Sequence, residues 1–266
     1  MKIGFIGAGN MGSAILKGYL AANPGCEMNI KAFDADSKKT EALAEEFGIT
    51  VVSSVKDAVS GADLVLLAVK PNCMEAVLPE AAESREKNCL VVSIAAGISL
   101  AYLERFLGSD AKLIRVMPNT PALVGESMSA LCGNRNVTDE DFACAKAVFD
   151  AVGRTEEVQE SLIDSVIGVS GSSPAYVYMF IEALADGAVA EGMARDKAYV
   201  FAAQAVLGSA KMVLETGLHP GALKDAVCSP GGTTIESVCA LEESGFRASV
   251  MQAVRAAAEK SREMGK

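Results

Sequence analysis

In the first half of the chain, short apolar runs alternate with stretches whose apolar positions recur every three or four residues. The runs at residues 2–6, 29–33, 63–69, 89–94 and 112–117 read as strands, and helical patterns lie between most of them, the first at 13–21. Alternation of this kind predicts a parallel sheet flanked by helices. Several runs end in small, proline or polar residues: Val69-Lys70-Pro71, Ala95-Ala96-Gly97 and Met117-Pro118-Asn119-Thr120-Pro121. In open sheets, ligands sit beyond these carboxyl ends.

The strand pattern stops near residue 160, and helix then follows helix. Ser173-Pro174 reads as a cap followed by proline at the first helical position, leading into a helix over 175–192. A second helix spans 195–216 and stops at Gly217, His219-Pro220 opens a shorter one toward Cys228, and 233–243 and 246–264 complete the set. The expected organisation is an α/β, Rossmann-type doubly wound domain over 1–160 and an all-helical domain over 161–266. Residues 176–190 are too apolar to face water all round, so that helix must lie in a core or between subunits. A homodimer supplies the burial; a monomeric bundle built around one central helix is the other arrangement.

Composition narrows the function classes. The chain has 266 residues, half of them hydrophobic and 22% charged, which marks a globular protein. A net charge of −10 with no basic run disfavours nucleic acid or an anionic membrane as partner. Seven scattered cysteines without a C-x-x-C pair, and a single histidine, point to reduced thiols in the cytoplasm rather than disulfides or a metal. Lys2 and the apolar residues up to Leu20 imitate a signal peptide, but Asn10 and Lys17 interrupt them. No apolar stretch reaches the roughly eighteen residues of a membrane span.

Two glycine-rich turns carry the candidate chemistry. Gly7-Ala8-Gly9-Asn10-Met11-Gly12 lies between a strand and a helix, the setting of a dinucleotide fingerprint. Gly7 permits the tight turn, Gly9 lets the backbone approach a pyrophosphate, and Gly12 lets helix and strand pack closely. Asp34, at the end of the second strand, is placed to accept hydrogen bonds from an adenosine ribose, which favours NAD. Ser37, Lys38 and Lys39 follow and offer a hydroxyl and positive charge to a 2′-phosphate, so cofactor choice stays open. The second turn, Ser229-Pro230-Gly231-Gly232-Thr233-Thr234, offers consecutive backbone N–H groups to an anion such as a carboxylate. The small, polar segment Ser170-Gly171-Ser172-Ser173-Pro174 presents hydroxyls or amides to a substrate, or is a plain helix cap. His219 reads most simply as a helix start.

Together these segments resemble pyrroline-5-carboxylate reductase, the NAD(P)H-dependent enzyme of proline biosynthesis. The resemblance spans Phe5 to Gly12, Leu67-Ala68-Val69-Lys70-Pro71, Val92-Ser93-Ile94-Ala95-Ala96-Gly97, Arg115 to Pro121 and Gly171 to Tyr176. Its most specific part is the run from His219-Pro220-Gly221 to Thr233-Thr234-Ile235. It implies a Rossmann-type domain followed by a helical dimerisation domain, with dimers assembling into rings in some members. By position, Ile6, Gly7, Ala8, Gly9, Asn10, Met11, Asp34, Ala68, Val69, Lys70 and Ala96 would contact NADPH, or NADH, which several members accept. Asp34 stands where some members have a smaller polar residue, which unsettles an NADPH preference. Ser172, Ser173, Gly231, Gly232, Thr233 and Thr234 would hold the imino-acid substrate or its product, and Thr234 would donate to the ring nitrogen. A 3-hydroxyacid dehydrogenase of similar architecture would resemble its relatives in placing a lysine on the long helix opening the second domain, yet residues 161–194 hold no lysine or arginine. A non-catalytic NAD(P)-sensing protein would need only the first glycine turn.

Overall fold

The computed structural model describes residues 1–264 and divides into two compact units, one of Met1–Gly171 with the chain from Ala257 onward, the other of Ser172–Ala256. The division at Ser172 lies beyond the boundary expected near residue 160. The first unit runs β1 (Ile3–Ile6), α1 (Asn10–Ala22), β2 (Ile30–Phe33), α2 (Ser37–Phe47), β3 (Thr50–Val51), α3 (Val55–Val59), β4 (Leu64–Leu67), α4 (Met74–Ser84), β5 (Leu90–Ser93), α5 (Leu100–Leu107), β6 (Lys112–Met117), β7 (Ser127–Gly133), α6 (Asp139–Phe149), β8 (Gly153–Glu157) and α7 (Ile163–Val166). A π-helical turn, Ile167–Gly171, follows.

The eight strands form one sheet in the order β3-β2-β1-β4-β5-β6-β7-β8. From β1 the chain first builds outward through β2 and β3, then returns to β4 on the other side, so β1 and β4 flank a topological switch point. Side chains alternate across the sheet: Ile3 and Phe5 enter a core with Leu16, Ile30 and Leu64, whereas Ile6 enters the opposite core with Val65, Leu67 and Leu78. Each Ile or Leu buried this fully contributes about 1.5–3 kcal/mol, and helices cover both faces to provide it.

All five strands expected from the apolar runs are present, but the sheet is not purely parallel. β7 runs antiparallel to β6, because the connection from Met117 to Ser127 is a single 3₁₀ turn, too short for a helical crossover. β8 then pairs parallel to β7 at the edge. Its sequence, Gly-Arg-Thr-Glu-Glu, is charged, with Arg154, Glu156 and Glu157 exposed, which protects an unpaired edge.

The second unit contains α8 (Ser173–Ala190), α9 (Arg195–Thr216), α10 (Pro220–Val227), α11 (Thr233–Glu243) and most of α12 (Phe246–Met264). Gly217 ends α9 with φ of 65°, a left-handed conformation that favours glycine. His219 caps α10, its Nδ1 accepting from the Gly221 N–H at 3.0 Å. The expected cap at Ser173 is displaced: the preceding π turn already has helical backbone, so α8 begins at Ser173 itself and Ser172 makes no side-chain cap bond. α8 and α9 meet through Ala185, Ala198 and Ala202, which form the small buried centre of the unit. Ala185 is the one fully buried residue of α8, while Tyr178, Met179, Val200 and Phe201 are exposed. A self-sufficient monomeric bundle would bury α8 all round, and this one does not. No helix among the described residues is long and apolar enough to cross a membrane.

Candidate active site

The first glycine turn sits at the switch point. Gly7 has φ of 102°, its N–H donates to the Phe33 carbonyl at 2.8 Å, and a Cβ there would lie 2.5 Å from the Ala68 carbonyl oxygen. Gly12 is equally constrained, since its Cβ would stand 2.3 Å from the Gly7 oxygen. Gly9 differs: a Cβ at its position meets nothing within 4 Å. It occupies the N-cap of α1 with no side-chain cap bond and no acidic residue in the first turn. The unpaired N–H groups and the positive end of the helix therefore face open space, which is a seat for a pyrophosphate.

Around this loop the sequence-derived residues occupy different layers. Ile6 is fully buried and its carbonyl accepts from the Ala68 N–H at 2.7 Å, so it supports the loop from beneath. Ala8 donates its N–H to Asp34 Oδ2 at 2.6 Å, joining the end of β2 to the loop. Asn10 is exposed, and Met11 packs partly against the core. Val69 is half-buried after β4, and Lys70 and Ala96 are exposed at the ends of their strands. A cavity of about 580 Å³ alongside α1 is lined by Ala8, Gly9, Asn10, Lys17, Lys39 and Leu123 among others, but not by Ala68, Val69, Lys70 or Ala96. The uncapped helix terminus, the space over Gly9 and the carboxylate beyond β2 fit a dinucleotide.

In the second unit, Gly231 takes φ of 64° and the Gly232 N–H donates to the Ser229 carbonyl at 3.0 Å, turning the chain into α11. Gly232 caps that helix with no side-chain bond, so the first amides of α11 are again uncapped. Thr233 is exposed and Thr234 half-buried there. Ser172 and Ser173, both half-buried, stand at the start of α8. The structure thus gathers the expected cofactor residues in the first unit and the expected substrate residues in the second.

Asn119 lies in the Met117–Pro121 run at a strand's carboxyl end, where the sequence points to a ligand crevice, but it is not among the expected site residues. It is 9% exposed, its Oδ1 accepts from the Met128 N–H at 2.9 Å, and its Nδ2 donates to the Ser170 carbonyl at 3.0 Å. It thereby fixes the π turn two residues before Ser172, and π turns recur at functional sites. The available signal was an asparagine between two prolines at a strand end. Glu160 is a similar tie, its Oε1 accepting from Arg115 at 3.0 Å and from the Leu100 N–H at 2.8 Å.

The second glycine turn and the start of α8 carry hydroxyls and amides and no ionisable side chain of their own. Burial pushes Cys89 up to about 11 and Cys132 up to about 12, which keeps both as inert thiols. His219 is committed to its cap, and among the described residues no three His, Cys, Asp or Glu side chains converge as metal ligands would. What remains are hydroxyls, oriented amides and a dinucleotide seat.

A doubly wound sheet with this glycine loop, joined to a helical unit, defines the class of Rossmann-type, dinucleotide-dependent oxidoreductases. Comparison with known proteins agrees and goes further. Residues 160–264 match the family described as pyrroline-5-carboxylate reductase dimerisation, and residues 2–97 match NADP oxidoreductase, coenzyme F420-dependent. A pyrroline-5-carboxylate reductase of Escherichia coli is 54% identical over 265 residues, covering 100% of this chain and 98% of that protein. A solved structure of a pyrroline-5-carboxylate reductase from Coxiella burnetii superposes with a TM-score of 0.95 at 34% identity, covering 100% of this chain and 98% of that one. That from Plasmodium falciparum, solved with NADP bound, gives 0.87 at 35% identity with the same coverage. The chain belongs to the pyrroline-5-carboxylate reductase family.

Proposed function

We propose that this protein reduces 1-pyrroline-5-carboxylate to L-proline with NADPH or NADH, the last step of proline biosynthesis. The observation that carries the reading is a pair of uncapped helix N-termini, each entered through a glycine turn: α1 for the pyrophosphate and α11 for the substrate carboxylate. When bound, the reduced dinucleotide supplies hydride. The substrate is a cyclic imine, and protonation of its nitrogen makes the adjacent carbon electrophilic enough to accept hydride without a strong enzymic acid. The task left to the chain is to bind and orient, which suits a site of amides and hydroxyls. In this assignment Gly7 to Met11, Asp34, Ala68, Val69, Lys70 and Ala96 hold the dinucleotide, and Ile6 supports their loop from beneath. The amides of Gly231 and Thr233, on the turn that the Gly232 N–H closes onto Ser229, hold the carboxylate with Ser172 and Ser173, and Thr234 donates a hydrogen bond to the ring nitrogen.

A 3-hydroxyacid dehydrogenase must remove a proton from an alcohol, and α8 offers no lysine for it. A sensing protein would leave the second turn without a role. The apolar flank of α8, bordering a groove of about 530 Å³ lined by Tyr176, Met179, Phe180, Leu241 and Phe246, supports a homodimer that covers it. Seven unpaired thiols support residence in the reducing cytoplasm. The test is loss of absorbance at the reduced-nicotinamide band on mixing protein, dinucleotide and pyrroline-5-carboxylate. Imine-dependent oxidation is expected, and a folded protein that binds dinucleotide yet oxidises none would remove the proposal.

A further inference from the structure

We infer that Asp34 makes this chain discriminate against the 2′-phosphate of NADPH, so that NADH binds the more tightly of the two; the inference rests on the reductase reading above. The Asp34 side chain is only 13% exposed, and both of its oxygens are anchored. Oδ2 accepts from the Ala8 N–H at 2.6 Å and Oδ1 from the Asp36 N–H at 2.9 Å, so the carboxylate cannot swing away from the loop. Each oxygen keeps acceptor capacity for a ribose hydroxyl, while a phosphate carrying nearly two negative charges meets a fixed negative charge.

The cations nearby do not reverse this. Lys39 Nζ lies 3.7 Å from Asp34 Oδ1 and 3.7 Å from Asp36 Oδ2, one positive charge shared by two carboxylates. Lys31 is turned to the carbonyls of Asp57 and Ser60, at 3.2 and 3.0 Å. Lys38 is the remaining candidate, exposed in the first turn of α2. The trio of Asp34, Asp36 and Lys39 thus carries a net negative charge at the carboxyl end of β2. Repulsion of this kind in a partly exposed site is worth about tenfold to a hundredfold in affinity.

Fluorescence titration of the full chain with NADH and with NADPH reads the ratio directly, without turnover. The expected result is a Kd for NADH about tenfold or more below that for NADPH. Asp34→Ser should shift the ratio toward NADPH by about tenfold or more. Asp34→Asn should do the same while keeping an acceptor for the Ala8 N–H, which separates charge from loop folding. Replacing Lys38 by alanine should change NADPH affinity less than threefold. Equal or tighter binding of NADPH by the parent, an unmoved ratio in both Asp34 variants, or a large loss of NADPH affinity in the lysine variant would each overturn the inference and leave the reductase reading standing. Binding of neither dinucleotide would overturn both.

Discussion

Replacing Gly9 by alanine separates what the first glycine loop does for a ligand from what it does for the fold. Its φ of −71° and ψ of −178° are open to alanine, and a Cβ there meets no atom within 4 Å. Restricting the unfolded chain is worth about 0.4–1 kcal/mol in favour of alanine, while alanine caps a helix less well than glycine. These effects oppose each other, so stability should hold within about 1 kcal/mol and the melting temperature within about 4 °C. The added methyl fills the space that the α1 amides face, and a pyrophosphate must retreat from them. Losing one or two charge-assisted hydrogen bonds, at about 1.5 kcal/mol each, weakens binding about tenfold to a hundredfold. Gly12→Ala is the counterpart, because its Cβ would lie 2.3 Å from the Gly7 oxygen and 3.0 Å from Ala68 Cβ. Overpacking there costs about 1–3 kcal/mol, or about 2–12 °C of melting temperature. Calorimetry with dinucleotide titration on both variants reads the contrast. A Gly9→Ala protein that binds NADH and NADPH as tightly as the parent would refute the pyrophosphate seat, and one that melts far below the parent would refute the open space above Gly9.

Three further outcomes follow from the same geometry. Met179→Asp places a charge on the uncovered flank of α8, where Met179 is 69% exposed in the single chain, and should convert a sedimenting dimer to monomer with helicity retained; a parent that sediments as a monomer contradicts the covered-flank reading. Thr234→Val should lower kcat by about a hundredfold, in the range of a lost transition-state hydrogen bond, with dinucleotide Kd unchanged; full turnover in a folded variant would free the substrate nitrogen from that residue. For the buried thiols the folded-state values, about 11 for Cys89 and about 12 for Cys132, lie above the roughly 8.5 of an unfolded thiol. Their contribution to stability is therefore full below about pH 8.5 and lost as pH rises through those folded values, at up to about 1.4 kcal/mol per pH unit per thiol. Urea midpoints measured from pH 8 to 10.5 should fall, and fall less in Cys132→Ala.

The helical half was legible almost to the residue because its signals are local: Gly217 in the left-handed region ends α9, Pro220 starts α10, and the glycines before Thr233 start α11. The buried parallel strands were legible for the same reason, each being a short apolar run. β7 and β8 were not. β7 mixes serines with apolar residues because Ser127 and Ser129 are buried and bonded to each other at 3.2 Å, and β8 is a charged edge that has no face to bury. At the site, the loop residues could be named from their spacing, but their partners could not. Asp34 reaches Ala8 across 26 positions and Asn119 reaches Ser170 across 51, contacts that exist only once the sheet has brought strand ends together. The expected cap at Ser173 failed because a π turn, which leaves no mark in the hydrophobic pattern, precedes it.

The most direct test of the central claim follows the hydride itself. The protein is incubated with pyrroline-5-carboxylate and a reduced dinucleotide deuterated at both C4 positions of its nicotinamide ring, and the amino-acid product is weighed by mass spectrometry. Proline one mass unit heavier than natural, formed only when imine and dinucleotide are both present, is the predicted result. Unlabelled proline, or none from a folded protein that binds the dinucleotide, would contradict it.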